Sequence, residues 1–207
     1  MNSSTESNAP LLNEDQAEAF SEFINIALGR AAVPLAELVE EFVTMQVPQL
    51  SFVETSRILP ELTKIIGVDQ RVVIVRQGFQ ASLRGEAIFV LGTPSTATIR
   101  EMLDLEDDED LAEGVLEIAN IVLGASVGEL AKLLGGYVTY SPPHIVVNDG
   151  LVTDLTRNSG AELSESIFVR TGLGVEAHSL ETYLLLLLPE GTLGWLRNAL
   201  DEVLEAA

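Results

Sequence analysis

Displacing the 207-residue chain against itself by 95 positions lays Glu22, Asn25, Ile26, Leu28, Gly29, Leu35, Ala36 and Leu38 on Glu117, Asn120, Ile121, Leu123, Gly124, Leu130, Ala131 and Leu133, eight identities in seventeen aligned positions. Pro48 meets Pro143 at the same displacement, Val75, Arg76 and Gly78 meet Val169, Arg170 and Gly172 at 94, and Leu103 meets Leu200 at 97. Identical residues that survive in order while the offset drifts are the mark of one supersecondary unit copied once, with small loop insertions and deletions afterwards. A duplicated fold with pseudo-twofold symmetry is expected, with repeats over 13–104 and 110–207 forming a single domain and residues 1–12 a disordered polar tail.

Each copy opens with a helix. In the first, Asn13 and Gln16 have capping-box spacing, and Phe20, Phe23, Ile24, Ala27, Leu28 and Ala31 recur at helical period. In the second, Asp110 and Glu113 have the same spacing, Leu116, Ile118, Ala119, Val122 and Leu123 continue the stripe, and Gly135 and Gly136 stop the helix after Leu134. Gly29, Gly124 and Gly128 sit among alanines inside these helices and predict a close side-by-side packing of the pair, with a kink at Pro34. Extended stretches follow in parallel order, Val47 to Val53, Arg71 to Phe79 and Glu86 to Leu91 against Tyr137 to Val147, Ser166 to Thr171 and Glu181 to Leu188. Short helices are expected over Glu54 to Ile66, Thr93 to Leu103 and Thr192 to Glu205. Links as short as Gly78 to Arg84 allow hairpins but not crossovers, so the fold class is α/β, a duplicated sandwich with a mostly antiparallel sheet packed against two long helices.

Composition narrows the chemistry. Eleven Lys and Arg against 32 Asp and Glu give a net charge of −21, which repels phosphate backbones and removes the counterion release that drives nucleic-acid binding. Neither nucleic acid nor an anionic membrane surface is expected as a partner. The chain has no cysteine, which excludes disulfides and thiolate chemistry and fits a reducing compartment, so the cytoplasm is the expected location. The opening residues lack a basic segment followed by an apolar one, and the apolar run Tyr183 to Leu188 is far shorter than the roughly 20 residues of a membrane span. That run reads as a buried strand.

Within the repeat, Glu22 with Asn25 and Glu117 with Asn120 stand three apart on a helix and share one face. Glu18 and Glu113, one turn earlier, extend each pair to an i, i+4, i+7 line, and Pro48 and Pro143 each follow the Asn after twenty-two residues. This pattern resembles the CheC/CheX/FliY family of chemotaxis phosphatases, whose motif is Asp or Ser, three residues, Glu, two residues, Asn, then Pro after twenty-two more. Both copies match three of the four positions, with Glu18 and Glu113 standing where the family has Asp or Ser. The duplicated layout, from about Gln16 to Leu204, is most similar to the stand-alone, two-site CheC branch.

The resemblance implies removal of the phosphoryl group from the aspartate of a phosphorylated CheY-like response regulator. Glu22 and Glu117 would bond the receiver's lysine, Asn25 and Asn120 would orient the attacking water, and Pro48 and Pro143 would end each motif structurally. Mg²⁺ would be supplied by the receiver, so no cofactor of its own and no metal site are expected. A CheD-like deamidase is a further partner expected from the resemblance. Other readings stand beside this one: a non-catalytic receiver-binding or flagellar-switch adaptor using the same face, or a glycoside hydrolase built on paired carboxylates. Glu113 also reads as a helix-start residue and Glu18 as a solvated one, while His144 and His178 lack partners at the spacing of a triad or zinc site.

Overall fold

A computed structural model of the chain describes residues 11–106, 108–158, 165–175 and 178–206. The first helix, α1 (Glu14–Val39), begins where expected: the Asn13 side chain accepts from the Gln16 amide at 2.9 Å, and the Gln16 side chain accepts from the Asn13 amide at 3.0 Å. It runs through Pro34 and ends at Glu40, whose φ of 55° turns the chain left-handed. Two short strands follow, β1 (Val43–Met45) and β2 (Gln49–Glu54), then α2 (Thr55–Ile66), the hairpin β3 (Arg71–Ala81) and β4 (Gly85–Gly92), and α3 (Thr93–Met102). The second copy repeats the order with α4 (Asp108–Leu133), β5 (Val138–Tyr140), β6 (His144–Leu151), a 3-10 turn over Val152–Asn158, β7 (Glu165–Val175), β8 (His178–Leu188) and α5 (Glu190–Ala206).

Among the described residues all strand pairs are antiparallel and form one eight-stranded sheet, β1-β7-β8-β4-β3-β5, with β2 also on β7 and β6 also on β3. The order reads the same from both ends once equivalent strands are exchanged, so the pseudo-twofold passes between β4 and β8. Alternation along the strands separates two cores. Val73, Val75, Phe79, Leu184 and Leu186 meet Phe20, Ile24 and Leu28 of α1 and Ile118, Val122 and Leu123 of α4. Val72, Ile74, Ile88, Tyr183, Leu185 and Leu187 meet Leu62 of α2 and Val152 and Leu155 of the 3-10 turn. The continuous apolar run in β8 is thus explained: the strand is central and covered on both faces.

Several expectations change. Helix α4 starts at Asp108, so Asp110 lies in its first turn and is not the N-cap; three Asp residues in the acidic run offer competing start points. Its C-terminus is a Schellman motif, with Gly136 N donating to Ala131 O at 2.7 Å, Gly135 N to Lys132 O at 3.0 Å and Gly135 at φ 70°. α1 and α4 do pack together, with Ala27 and Ala119 buried in the shared core, but not through Gly29 or Gly124. A Cβ at Gly29 or Gly124 would meet nothing within 4 Å. Of the expected tail, residues 1–10 lie outside the described residues, whereas Leu12 is buried and the Leu11 carbonyl accepts from Arg197 Nε at 2.7 Å. An apolar side chain with a core groove in reach does not stay in solvent. The segment Asp110–Leu133 of α4 has the length and hydropathy of a membrane-crossing helix, and the structure spends that apolarity on the core.

Candidate functional site

A helix places residues i, i+4 and i+7 in one line. On α1 that line is Glu18, Glu22 and Asn25, all exposed because the opposite face carries Phe20, Ile24 and Leu28 into the core. The link between β1 and β2 brings Val47 and Pro48 against it. Glu18, Ser21, Glu22, Asn25, Val47 and Pro48 together line an open depression of about 340 Å³. The structure therefore brings all four motif positions of the first copy to one place. Val47, 78% exposed, adds an apolar rim beside the carboxylates.

The proline of each motif sits at a break in the sheet. β1 and β2 pair with β7 through Met45↔Leu173 and Gln49↔Arg170, leaving three residues, Gln46 to Pro48, opposite two, Thr171 and Gly172. β5 and β6 pair with β3 through Tyr140↔Phe79 and His144↔Arg76, leaving Ser141 to Pro143 opposite Gln77 and Gly78. An unpaired extra residue is a bulge, and a proline, which has no N–H to give to a ladder, belongs there. Pro48 and Pro143 thus each sit on the longer side of a bulge in a strand pair.

On α4, Glu113, Glu117 and Asn120 form the equivalent exposed line, and Pro143 is half-buried. Here the link to the loop is explicit. Asn120 Oδ1 accepts from Gln77 Nε2 at 3.1 Å, and the same nitrogen donates to the Ser141 carbonyl at 3.1 Å. Gly78 N donates to Ser141 Oγ at 3.0 Å while Ser141 N donates to the Gly78 carbonyl at 3.0 Å. A Cβ on Gly78 would come within 3.1 Å of Ser141 Oγ, so the glycine makes room for this seat. Tyr140, next in the chain, lays its hydroxyl on α4 and donates to the Gly124 carbonyl at 2.8 Å. Burial of that end pushes the hydroxyl up to about 12 from an ordinary 10.0. Gly128 leaves space for it, since a Cβ there would lie 2.9 Å from the oxygen.

Gln77 escaped the sequence reading. Its signal was a polar residue at a core position of a period-2 pattern, Val73, Val75, Gln77 and Phe79. Met45, Met102 and Trp195 are partly buried and pack against the core. His144 is exposed at the start of β6, and the side chain of His178 lies outside those described. Among the described residues, no three His, Asp or Glu side chains converge as metal ligands would.

No family model matches the chain. Solved structures share its fold. FliY from Thermotoga maritima superimposes with a TM-score of 0.74 at 17% identity, over 93% of this chain and 99% of that one. The FliM middle domain from H. pylori gives a TM-score of 0.62 at 10% identity, over 91% and 99%. CheX from Vibrio vulnificus gives 0.50 at 18% identity, over 80% and 98%. The likeness is one of fold, spread over nearly the whole of each protein.

Proposed function

We propose that this chain is a protein aspartyl-phosphate phosphatase, acting in the cytoplasm on the phosphorylated receiver domain of a CheY-like response regulator in chemotaxis signalling. The observation that carries the reading is the convergence of Glu18, Glu22, Asn25 and Pro48 on one open depression. A phospho-aspartate is a mixed anhydride and already activated. Water attacks phosphorus, the P–O bond to the receiver's carboxylate breaks, and carboxylate and inorganic phosphate leave. Such a reaction asks for a water held in line and for stabilised charge more than for a strong base. An exposed amide on a rigid helix can hold that water by a hydrogen bond, and Asn25 and Asn120 are the amides so placed. Glu22 and Glu117, on the same faces, can each hold a receiver lysine by a charge-assisted bond and set the register of docking. Glu18 and Glu113 extend the carboxylate line by a turn. Mg²⁺, where the reaction uses it, belongs to the receiver. A shallow site suits a protein surface, since small-molecule sites bury most of their ligand.

The test is the lifetime of a phosphorylated receiver with and without the chain. Asn25→Ala and Asn120→Ala together are expected to remove the acceleration, each site losing on the order of 10² to 10³ in rate. Wild-type turnover in the double variant overturns the mechanism. The FliM-like fold favours a second reading, a flagellar-switch adaptor, because FliM forms a complex with FliG. Binding to a receiver or switch protein with no change in phosphate lifetime would select it. A CheD-like deamidase remains a proposed partner, to be tested by pull-down.

A further inference from the structure

Gln77 is only 2% exposed, on the face of β3 that carries Val75 and Phe79 towards the long helices. A polar side chain there requires partners, and its Nε2 has two, the Ser141 carbonyl and Asn120 Oδ1, each at 3.1 Å. One partner decides the other. A carbonyl only accepts, so Gln77 must turn its nitrogen to Ser141; the second proton on that nitrogen then meets Asn120, whose facing atom has to be the oxygen. The Asn120 NH₂ group is left turned away from Gln77. Ser141 is itself held by the two bonds to Gly78 and precedes Pro142 and Pro143, which have no N–H to continue the ladder.

We propose that Gln77 is a positioning residue of the second site: braced by the Ser141 carbonyl of the Pro143 loop, it locks the Asn120 amide with its oxygen inward and its NH₂ outward. The proposal deepens the phosphatase reading and rests on it. An outward NH₂ holds the attacking water, or a phosphoryl oxygen, as a donor. The motif's proline thereby acquires a task, since the loop it shapes supplies the carbonyl that orients Gln77. In the first copy the register positions equivalent to Gln77 and Ser141 carry different residues, Thr171 and Gln46. It also has a visible cost: Gln77 Oε1 is buried with no hydrogen-bond partner, a penalty that an apolar residue would remove.

The full chain carrying Asn25→Ala reports the second site alone. Adding Gln77→Met, which keeps the volume, is expected to lower kcat about 10-fold through a misoriented amide, with KM for the phosphorylated receiver unchanged and thermal stability equal or higher. A role in packing alone would leave the remaining kcat untouched, and that result, whatever the stability, overturns the proposal. Amide-proton exchange by NMR judges the lock without any turnover. The Gln77 NH₂ protons should be protected in the wild type and in Asn120→Asp, whose carboxylate accepts the same bond, and one of them released in Asn120→Leu. Fast exchange in the wild type refutes the lock whatever the kinetics. Protected protons in a wild type that hydrolyses nothing would refute the phosphatase reading instead, and with it the catalytic role given to Gln77.

Discussion

Gly29, Gly124 and Gly128 look alike in sequence, three glycines inside two long helices, yet the structure predicts two different responses to alanine. At Gly29 and Gly124 a Cβ meets nothing within 4 Å, so the substitution should deliver the intrinsic helical preference for Ala over Gly, about 1 kcal/mol each. For a chain of this size that is a rise in Tm of about 2–4 °C apiece. At Gly128 the same gain is opposed, because the new Cβ would stand 2.9 Å from the Tyr140 hydroxyl. Moving the ring breaks its 2.8 Å bond to the Gly124 carbonyl, worth about 1 kcal/mol, and the net change should be near zero. Removing the hydroxyl first restores the gain: in a Tyr140→Phe background, Gly128→Ala should stabilise by about 1 kcal/mol, a coupling of that size in a double-mutant cycle.

Urea unfolding of the four proteins of the cycle, with Gly29→Ala and Gly124→Ala alongside, measures all of these differences, provided m is unchanged. The reasoning is refuted if Gly128→Ala stabilises the wild type as much as Gly124→Ala does, or if alanine at Gly29 and Gly124 fails to stabilise. Gly29 and Gly124 also continue the exposed lines of Glu22 with Asn25 and Glu117 with Asn120 by one turn. If the proposed receiver docks on these lines, the same alanines should weaken its binding while strengthening the fold.

Two further outcomes follow from local geometry. Tyr140 keeps its proton in the folded state up to about 12, against 10.0 in the unfolded chain, so the folded state binds more protons between those values and stability should fall as pH rises through that window; tyrosinate absorbance during alkaline titration, with Tyr140→Phe showing a flatter decline, checks the sign. Asn13→Ala removes the cap of α1 and should cost about 1 kcal/mol in urea unfolding, with Gln16 left bonded to Asp201 Oδ1 at 2.8 Å.

The repeat was legible because the two copies keep the same residues on the same helix face, and its arithmetic located the strands and helices to within a few residues. Where local signals competed, boundaries moved: the acidic run before α4 offers several residues able to start a helix, and the helix is already formed at Asp108. The direction a glycine faces is a tertiary property, which is why the helices pack together as the small residues suggested while Gly29 and Gly124 face away from the contact. The motif residues themselves were readable from spacing, since i, i+4 and i+7 fall on one face whatever surrounds the helix. Gln77 was not, because its partners lie 43 and 64 residues away, and nothing local marks a polar residue in an apolar strand as a brace rather than a defect.

The sheet order adds a constraint on how the two sites relate. β1 and β2 of the first half pair with β7 of the second, and β5 and β6 of the second pair with β3 of the first. Each motif proline therefore turns on a strand that the other half supplies, and Asn120 is bonded to a glutamine from the half to which it does not belong. The second candidate site thus draws Gln77 from the first half, whereas the depression of the first is lined by first-half residues and meets the second half through the pairing of β2 with β7. A substitution in β3 can tune the second site without touching α1, and one in β7 can tune the first without touching α4, so duplication followed by independent change in the two inner strands is enough to make two sites on one sheet unequal.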